Sequence, residues 1–98
     1  MKRSLIVSKR AQRDIKRIDA TWIQNRPLAT DLFYLELRDM FDLLARQPHI
    51  GHRYPARAPG VRRVLLRGSR YHVYYKTTPK QIHVVAVWGA VRERGPKL

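Results

Sequence analysis

The segment from residue 61 to residue 94 constrains the fold most, because it holds three runs of β-branched, aromatic and basic residues separated by two turns. Short runs of this kind joined by turns are typical of an antiparallel meander. The first turn is Arg67-Gly68-Ser69-Arg70, in which Gly68 is expected to take the positive φ of a two-residue hairpin. The second turn, residues 77–80, contains Pro79 and is looser. The segment therefore predicts three strands.

Alternation with a period of two assigns the side chains of these strands to two faces. The face expected to pack on helices contains Val64, Leu66, Tyr71, Val73, Tyr75, Ile82, Val84 and Ala86. The opposite face is expected to contain Arg63, Leu65, Arg67, Arg70, His72, Tyr74, Lys76, His83, Val85 and Val87. One face therefore suits a core, and the other suits a basic and aromatic surface.

The first half of the chain predicts a short strand around Leu5 and Val7, followed by two helices. Ser8 is a helix cap, and apolar residues at helical spacing predict a helix from about residue 9 to residue 25. A second helix is expected to begin near Pro27, which suits a first helical turn, and to run to Arg46.

The second helix has more apolar residues than one contact face requires. Its core face is expected to contain Ala29, Phe33, Leu37, Met40 and Leu44. A second row, Leu28, Leu32 and Leu35, is either the edge of a wide core stripe or an exposed site for a partner. Residues 47–60 have no periodicity and three prolines, which indicates a loop.

Length and charge limit the class of protein. Ninety-eight residues predict one domain, residues 1–98, of α+β class, with an antiparallel sheet of the N-terminal strand and the meander packed on a helical hairpin. The net charge of +14 favours an acidic partner such as nucleic acid, an acidic protein segment or an anionic membrane. The chain has no cysteine, no apolar run of membrane-spanning length and no secretory leader, so we expect a cytoplasmic protein.

The chemistry of the outer sheet face has two interpretations. Arginines and tyrosines on a sheet can bind phosphates and stack on bases, but they can also be an ordinary solvated face. His72 and His83 on neighbouring strands could face each other as acid and base in RNA cleavage, or could be ordinary polar residues. His49 and His52 lack further ligands, so we expect no metal, and no phosphate loop or cofactor motif is present.

The order of several motifs resembles the RelE/ParE superfamily of toxins over nearly the whole chain. The motifs are S-x-x-A-x-x-D-I-x-x-I from Ser8, L-x-x-x-P-x-x-G from Leu44, G-V-R from Gly60, R-Y-H-V-Y-Y from Arg70, and V-W-G-A-V-R-E-R at the end of the last strand. The resemblance implies the toxin of a type II toxin–antitoxin module, bound and blocked by a cognate antitoxin in a hetero-oligomer. RelE-like members cut mRNA in the ribosome, whereas ParE-like members inhibit DNA gyrase.

Single positions favour the ParE-like activity. Arg63, Arg92 and Arg94 match basic positions of the RelE-like cleft, but Leu65 and His72 stand where RelE-like members carry cations. The terminal tyrosine is also missing. The resemblance thus favours a toxin that is not an enzyme. The alternatives are a ribosome-dependent endoribonuclease using Arg63, His72, His83, Arg92 and Arg94, or a non-toxic nucleic-acid-binding module.

The residues expected to bind partners fall into two sets. The set expected to contact nucleic acid or the cellular target is Arg63, Arg67, Arg70, Tyr74, Arg92 and Arg94. The set expected to contact the antitoxin is Leu28, Leu32, Leu35 and Leu65.

Overall fold

The computed structural model describes residues 2–91 and 94–98, which form two helices and a five-stranded sheet. The helices are α1 (Lys9–Asn25) and α2 (Leu32–Arg46). The strands are β1 (Ser4–Val7), β2 (His52–Arg53), β3 (Arg62–Leu66), β4 (Tyr71–Thr77) and β5 (Gln81–Gly89). The sheet order is β1-β5-β4-β3-β2, and the helices pack on one face. The predicted α+β fold is confirmed.

Two details of the sheet differ from the prediction. β1 runs parallel to β5, so the sheet is mixed and not wholly antiparallel. Both helices and three strands separate β1 from β5 along the chain, and no tight turn forces the two to be antiparallel. The expected loop of residues 47–60 also contains the short strand β2, which pairs with Arg62 and Arg63 of β3.

Helix α1 has the predicted bounds and the predicted cap. The Ser8 hydroxyl accepts the backbone N–H of Ala11 at 3.0 Å, which satisfies one of the free N–H groups of the first turn. The buried side chains are Ala11, Asp14 and Ile18, all on one side of the helix.

Helix α2 begins at Leu32, five residues later than Pro27, where the restart was predicted. Its expected first turn is held in another conformation, because the carbonyl of Ala29 accepts both the indole N–H of Trp22 and the backbone N–H of Leu32. Ala29 is therefore exposed and not in the core, and Leu28 is fully exposed outside the helix. The predicted helical row of three leucines does not exist.

A β-bulge shifts the faces at the end of β5. Tyr74 pairs with Ala86 and Tyr75 pairs with Val84, so Val85 is an extra residue without an opposite partner on β4. The shift turns Val87 into the core beneath the helices and Ala86 to the outer face. The predicted faces of these two residues are therefore wrong.

The turn between β3 and β4 also differs from the predicted two-residue hairpin. The Leu66 carbonyl accepts the Arg70 N–H at 2.8 Å, and Arg70 has the positive φ of 66°. Gly68 is not in the left-handed region; among the described glycines that conformation belongs to Gly60. Gly68 instead allows the Glu36 side chain to approach the backbone closely, since an added Cβ would lie 2.9 Å from a carboxylate oxygen of Glu36.

Gly51 in the loop after α2 is packed against the ring of Tyr75. The Tyr75 hydroxyl accepts the Gly51 N–H at 2.9 Å and donates to the Pro48 carbonyl at 2.9 Å. Burial of the ring raises the pKa of the Tyr75 hydroxyl. The P-x-x-G motif therefore anchors the loop to the core. In the part of the chain that the structure describes, no helix has the length and apolar character needed to cross a membrane.

Candidate functional site on the outer sheet face

The sheet face turned away from the helices carries two cross-strand rows. We call it the outer face and define it by Arg63, Leu65, His72, Tyr74, Ala86 and Trp88. In one row Arg63 lies opposite Tyr74, which lies opposite Ala86. In the other, His72 lies between Leu65 and Trp88. The predicted side of the sheet is thus confirmed for Arg63, Leu65 and His72.

The outer face is not an open surface. Val61, Tyr74 and Ala86 are buried in a second apolar cluster, against which pack Val85 and Trp88 of β5 and the covering residues Tyr54, Ala56, Ala58 and Leu98. The Tyr74 side chain is only 1% exposed, so its ring is not available for stacking on bases as predicted. The physical reason is that the loop after β2 and the C-terminal residues fold over this part of the sheet.

The C-terminal residues are held in place by hydrogen bonds that the carbonyl groups of Arg94, Lys97 and Leu98 accept. The Leu98 carbonyl oxygen accepts the N–H of Arg57 at 3.0 Å. The indole N–H of Trp88 donates to the Arg94 carbonyl at 2.8 Å, and the Arg10 guanidinium donates to the Lys97 carbonyl at 2.7 Å. A cavity of about 570 Å³ lies between this segment and residues 55–57.

Arg63 is held between two tyrosines and is half-buried. Its guanidinium lies 5.2 Å from the ring centre of Tyr54, within cation–π range. The rings of Tyr54 and Tyr74 meet edge to face at 4.8 Å. Burial raises the pKa of Tyr74, with Arg63 beside it opposing the shift, so this phenol is not poised to ionise near neutral pH.

His72 is the residue of the outer face with a pKa that favours the neutral imidazole. Burial is the main cause of its lowered pKa, and the positive charge of Arg63 adds to it. A neutral imidazole beside a guanidinium can accept a proton.

The second histidine is not close to the first. His83 pairs with Lys76, whereas His72 pairs with Trp88. Lys76 is four residues from His72 along β4, which is about 13 Å in an extended strand. Of the two interpretations of these histidines, the one in which they face each other is therefore excluded by the register, which was not evident from the sequence.

The remaining predicted target residues lie at the margins of this face or outside the described chain. Arg67 and Arg70 are exposed in the turn between β3 and β4, and Arg94 is exposed. Arg92 lies outside the residues that the structure describes.

The four leucines expected to bind the antitoxin do not form one surface. Leu32 lines a groove of about 590 Å³ with Trp22 and Tyr71. Leu65 lines another, of about 290 Å³, with Met40 and Leu43. Leu35 is exposed on α2, and Leu28 projects from the connection between the helices.

Two carboxylates that organise this region were not recognised from the sequence. The Glu36 carboxylate accepts the N–H groups of Gly68 and Ser69 at 2.6 and 2.7 Å and so fixes the turn between β3 and β4. Asp14 is 5% exposed and accepts the N–H of Val87 at 3.1 Å. The signal available in the sequence was a charged residue, Asp14, on the apolar side of α1.

Among residues 2–91 and 94–98, no three His, Asp or Glu side chains are grouped to hold a metal ion.

Comparison with known proteins identifies the class. Residues 5–93 match the family model described as "ParE toxin of type II toxin-antitoxin system, parDE". The chain therefore belongs to the ParE toxin family, within the RelE/ParE superfamily.

Solved structures share the fold at low sequence identity. A structure of the chromosomal ParDE toxin–antitoxin system from P. aeruginosa is similar with a TM-score of 0.72 and 18% identity, covering 89% of this chain and 95% of the other. The toxin–antitoxin complex DinJ-YafQ from E. coli is similar with a TM-score of 0.66 and 17% identity, covering 97% and 100%. No curated protein sequence gives a significant match.

Proposed function

We propose that this chain is a cytoplasmic toxin that arrests growth by inhibiting DNA gyrase and that a cognate antitoxin neutralises it. The observation that carries the choice of gyrase over mRNA is the outer face itself. His72 is separated from His83, and Tyr74 is buried. Neither His83 nor Tyr74 can therefore act beside His72 in proton transfer, whereas cleavage of RNA uses a base and an acid.

Ribosome-dependent cleavage of mRNA is the second candidate, and one feature favours it. His72 is held neutral beside Arg63, and this pair could remove a proton from a ribose hydroxyl while a cation stabilises the phosphate. The activity would depend on both residues. The Arg63 guanidinium is already stacked on Tyr54, so it would have to move to reach a phosphate.

An antitoxin segment fits the edge of β3. Strand β2 pairs only with Arg62 and Arg63, which leaves residues 64–66 at the edge without a neighbouring strand in the described chain. The apolar groove of Met40, Leu43 and Leu65 runs beside this edge. An extended segment can pair with such an edge and insert alternate side chains into the groove. The charge of +14 favours an acidic antitoxin.

Controlled expression in a bacterial host tests this function. We expect growth arrest, rescue by the antitoxin encoded beside the gene, and full-length cellular mRNA during arrest. Harmless expression would instead favour a non-toxic nucleic-acid-binding module.

Two variants separate the toxin mechanisms. His72→Ala should retain toxicity if the target is gyrase, provided that the protein folds, whereas Arg63→Ala should weaken it because Arg63 is expected to contact the target. Cuts in mRNA during translation that disappear in both variants would establish the nuclease and exclude the gyrase proposal.

A further inference from the structure

Positive charge is distributed unevenly between the two helices. Helix α1 has five Lys and Arg residues against two Asp, whereas α2 has two Arg against three acids. Asp14, one of the two acids of α1, is buried with its carboxylate directed at the Val87 N–H. The exposed side of α1 is therefore almost wholly cationic.

Three of these cations form a row on the solvent side. Lys9, Arg13 and Lys16 are separated by four and three residues, so they share one face of the helix. All three are exposed, and they lie opposite the side that buries Ala11 and Ile18.

The C-terminal residues extend this row. The Arg10 guanidinium donates to the Lys97 carbonyl at 2.7 Å, and the Arg57 N–H donates to the neighbouring Leu98 carbonyl at 3.0 Å. These bonds place Lys97 beside Arg10 of α1, and Arg57 next to Lys97 through its bond to Leu98. We define the basic ridge as Lys9, Arg10, Arg13, Lys16, Arg57 and Lys97. Among the described residues, its one carboxylate contact is that of Arg10 with Asp14 at 3.9 Å.

We propose that the basic ridge binds the sugar-phosphate backbone of duplex DNA, independently of sequence. The row from Lys9 to Lys16 spans about 10 Å along the helix axis. One DNA strand presents about three phosphates over that length, which matches the three cations of the row. The excess of positive charge destabilises the free protein, and phosphates would neutralise it.

The chemistry of the ridge favours nucleic acid over a protein partner. Protein interfaces depend on a few buried apolar or aromatic anchors, and the exposed residues between the cations of the row include Gln12 but no such anchor. Phosphate binding needs only charged and hydrogen-bonding groups. The groove beside Leu65 lies on other elements, and the groove beside Leu32 includes α1 only at Trp22, about two turns beyond Lys16. The ridge therefore stays available when those grooves are occupied.

Fluorescence anisotropy with a labelled 20-base-pair duplex of arbitrary sequence tests the proposal across a series of salt concentrations. The variant Lys9→Gln/Arg13→Gln/Lys16→Gln should bind more than about tenfold more weakly at 100 mM salt. The slope of log K against log salt should become shallower by about 2 to 3, because three phosphate contacts are lost. Circular dichroism and the Tm should show that the variant remains folded.

A matched variant, Arg46→Gln/Lys76→Gln/Lys80→Gln, removes the same charge away from the ridge and should change the slope by less than about 1. Equal losses in both variants would mean that only net charge matters, and would overturn the proposal. Binding of polyglutamate gives a second test. If the ridge variant loses polyglutamate binding but keeps DNA binding, the ridge serves an acidic peptide and the proposal is wrong. The measurement requires no toxic activity, so its result is independent of the gyrase proposal.

Discussion

The buried carboxylate of Asp14 in α1 accepts the backbone N–H of Val87 in β5 at 3.1 Å. Strand β1 ends at Val7, opposite Val84, so it does not cover the end of β5. Asp14 therefore supplies, from a helix, the acceptor that a longer β1 would have supplied. The bond lies immediately after the bulge and holds α1 on the strand that leads to the outer face.

Replacement of Asp14 by alanine should lower the free energy of unfolding by about 2 to 3 kcal/mol, because it leaves the buried Val87 N–H without its acceptor. Urea denaturation measures the loss. Asp19→Ala on the same helix is the control and should cost less than about 0.5 kcal/mol, since Asp19 is half-exposed. Equal losses would show that the bond to Val87 contributes nothing specific.

The elements that depend on local sequence were predicted, and those that depend on pairing were not. Helix α1 has a cap at Ser8 and a regular apolar face, so its bounds follow from its own residues. The bulge at Val85 arises from the register between two strands, which is a non-local property. The late start of α2 depends on Trp22, ten residues before Leu32, because its indole N–H donates a hydrogen bond to the Ala29 carbonyl.

Gly51 should be intolerant of a side chain. A Cβ there would lie 2.6 Å from the Tyr75 hydroxyl and 3.0 Å from the Arg63 carbonyl, and Tyr75 is buried on all sides. We expect Gly51→Ala to cost about 2 kcal/mol or more. Tyr75→Phe should cost about 1 to 2 kcal/mol, because the Gly51 N–H and the Pro48 carbonyl lose their partner.

The double variant Gly51→Ala/Tyr75→Phe distinguishes a steric clash at Gly51 from a general effect of the alanine. Removal of the hydroxyl relieves the closest contact, so the combined loss in thermal or urea denaturation should be smaller than the sum of the two single losses. An additive double variant would contradict the packing described for this loop.

Glu36 should make stability depend on pH in the acidic range. Partial burial opposes ionisation, but the hydrogen bonds from Ser69 and Gly68 outweigh it and hold the pKa of this carboxyl below its usual range. A lowered pKa stabilises the fold above the pKa of the unfolded chain, and this stabilisation is lost as pH falls through the folded-state value. Glu36→Gln should therefore show a weaker loss of stability than the natural chain between about pH 5 and pH 3.

The matched variant for this titration is Asp39→Asn on the exposed side of the same helix, where the carboxylate contacts only the neighbouring Arg38 at 3.3 Å among the described residues. Its acid unfolding curve should parallel that of the natural chain. A curve for Glu36→Gln that coincides with both would show that the turn does not depend on the ionised carboxylate.

Leu28 offers a clean test of antitoxin binding, because its side chain is fully exposed between the helices. Leu28→Ser should leave the Tm unchanged and weaken binding of the cognate antitoxin by about 1 to 2 kcal/mol, measured by calorimetry. Ile6→Ser replaces another exposed apolar residue, at the edge strand β1, and should bind normally. Normal binding by Leu28→Ser would remove the connection between the helices from the antitoxin interface.

The outer face shows why the site was predicted only in part. Alternation correctly placed Arg63 and His72 on it, because alternation is a property of each strand. Its cover is formed by residues with no regular pattern, Tyr54, Ala56, Ala58 and Leu98, which meet the sheet only in the folded chain. The sequence therefore predicted the positions of Arg63 and His72 on the face but not the burial of Tyr74.

Supercoiling of relaxed plasmid by purified DNA gyrase is the most direct test of the proposed function. We expect the purified toxin to inhibit supercoiling in a concentration-dependent way, the toxin premixed with its antitoxin to have no effect, and His72→Ala to inhibit as strongly as the natural chain. Undiminished supercoiling at a large molar excess of folded toxin, together with cleavage of mRNA on translating ribosomes, would contradict the proposal.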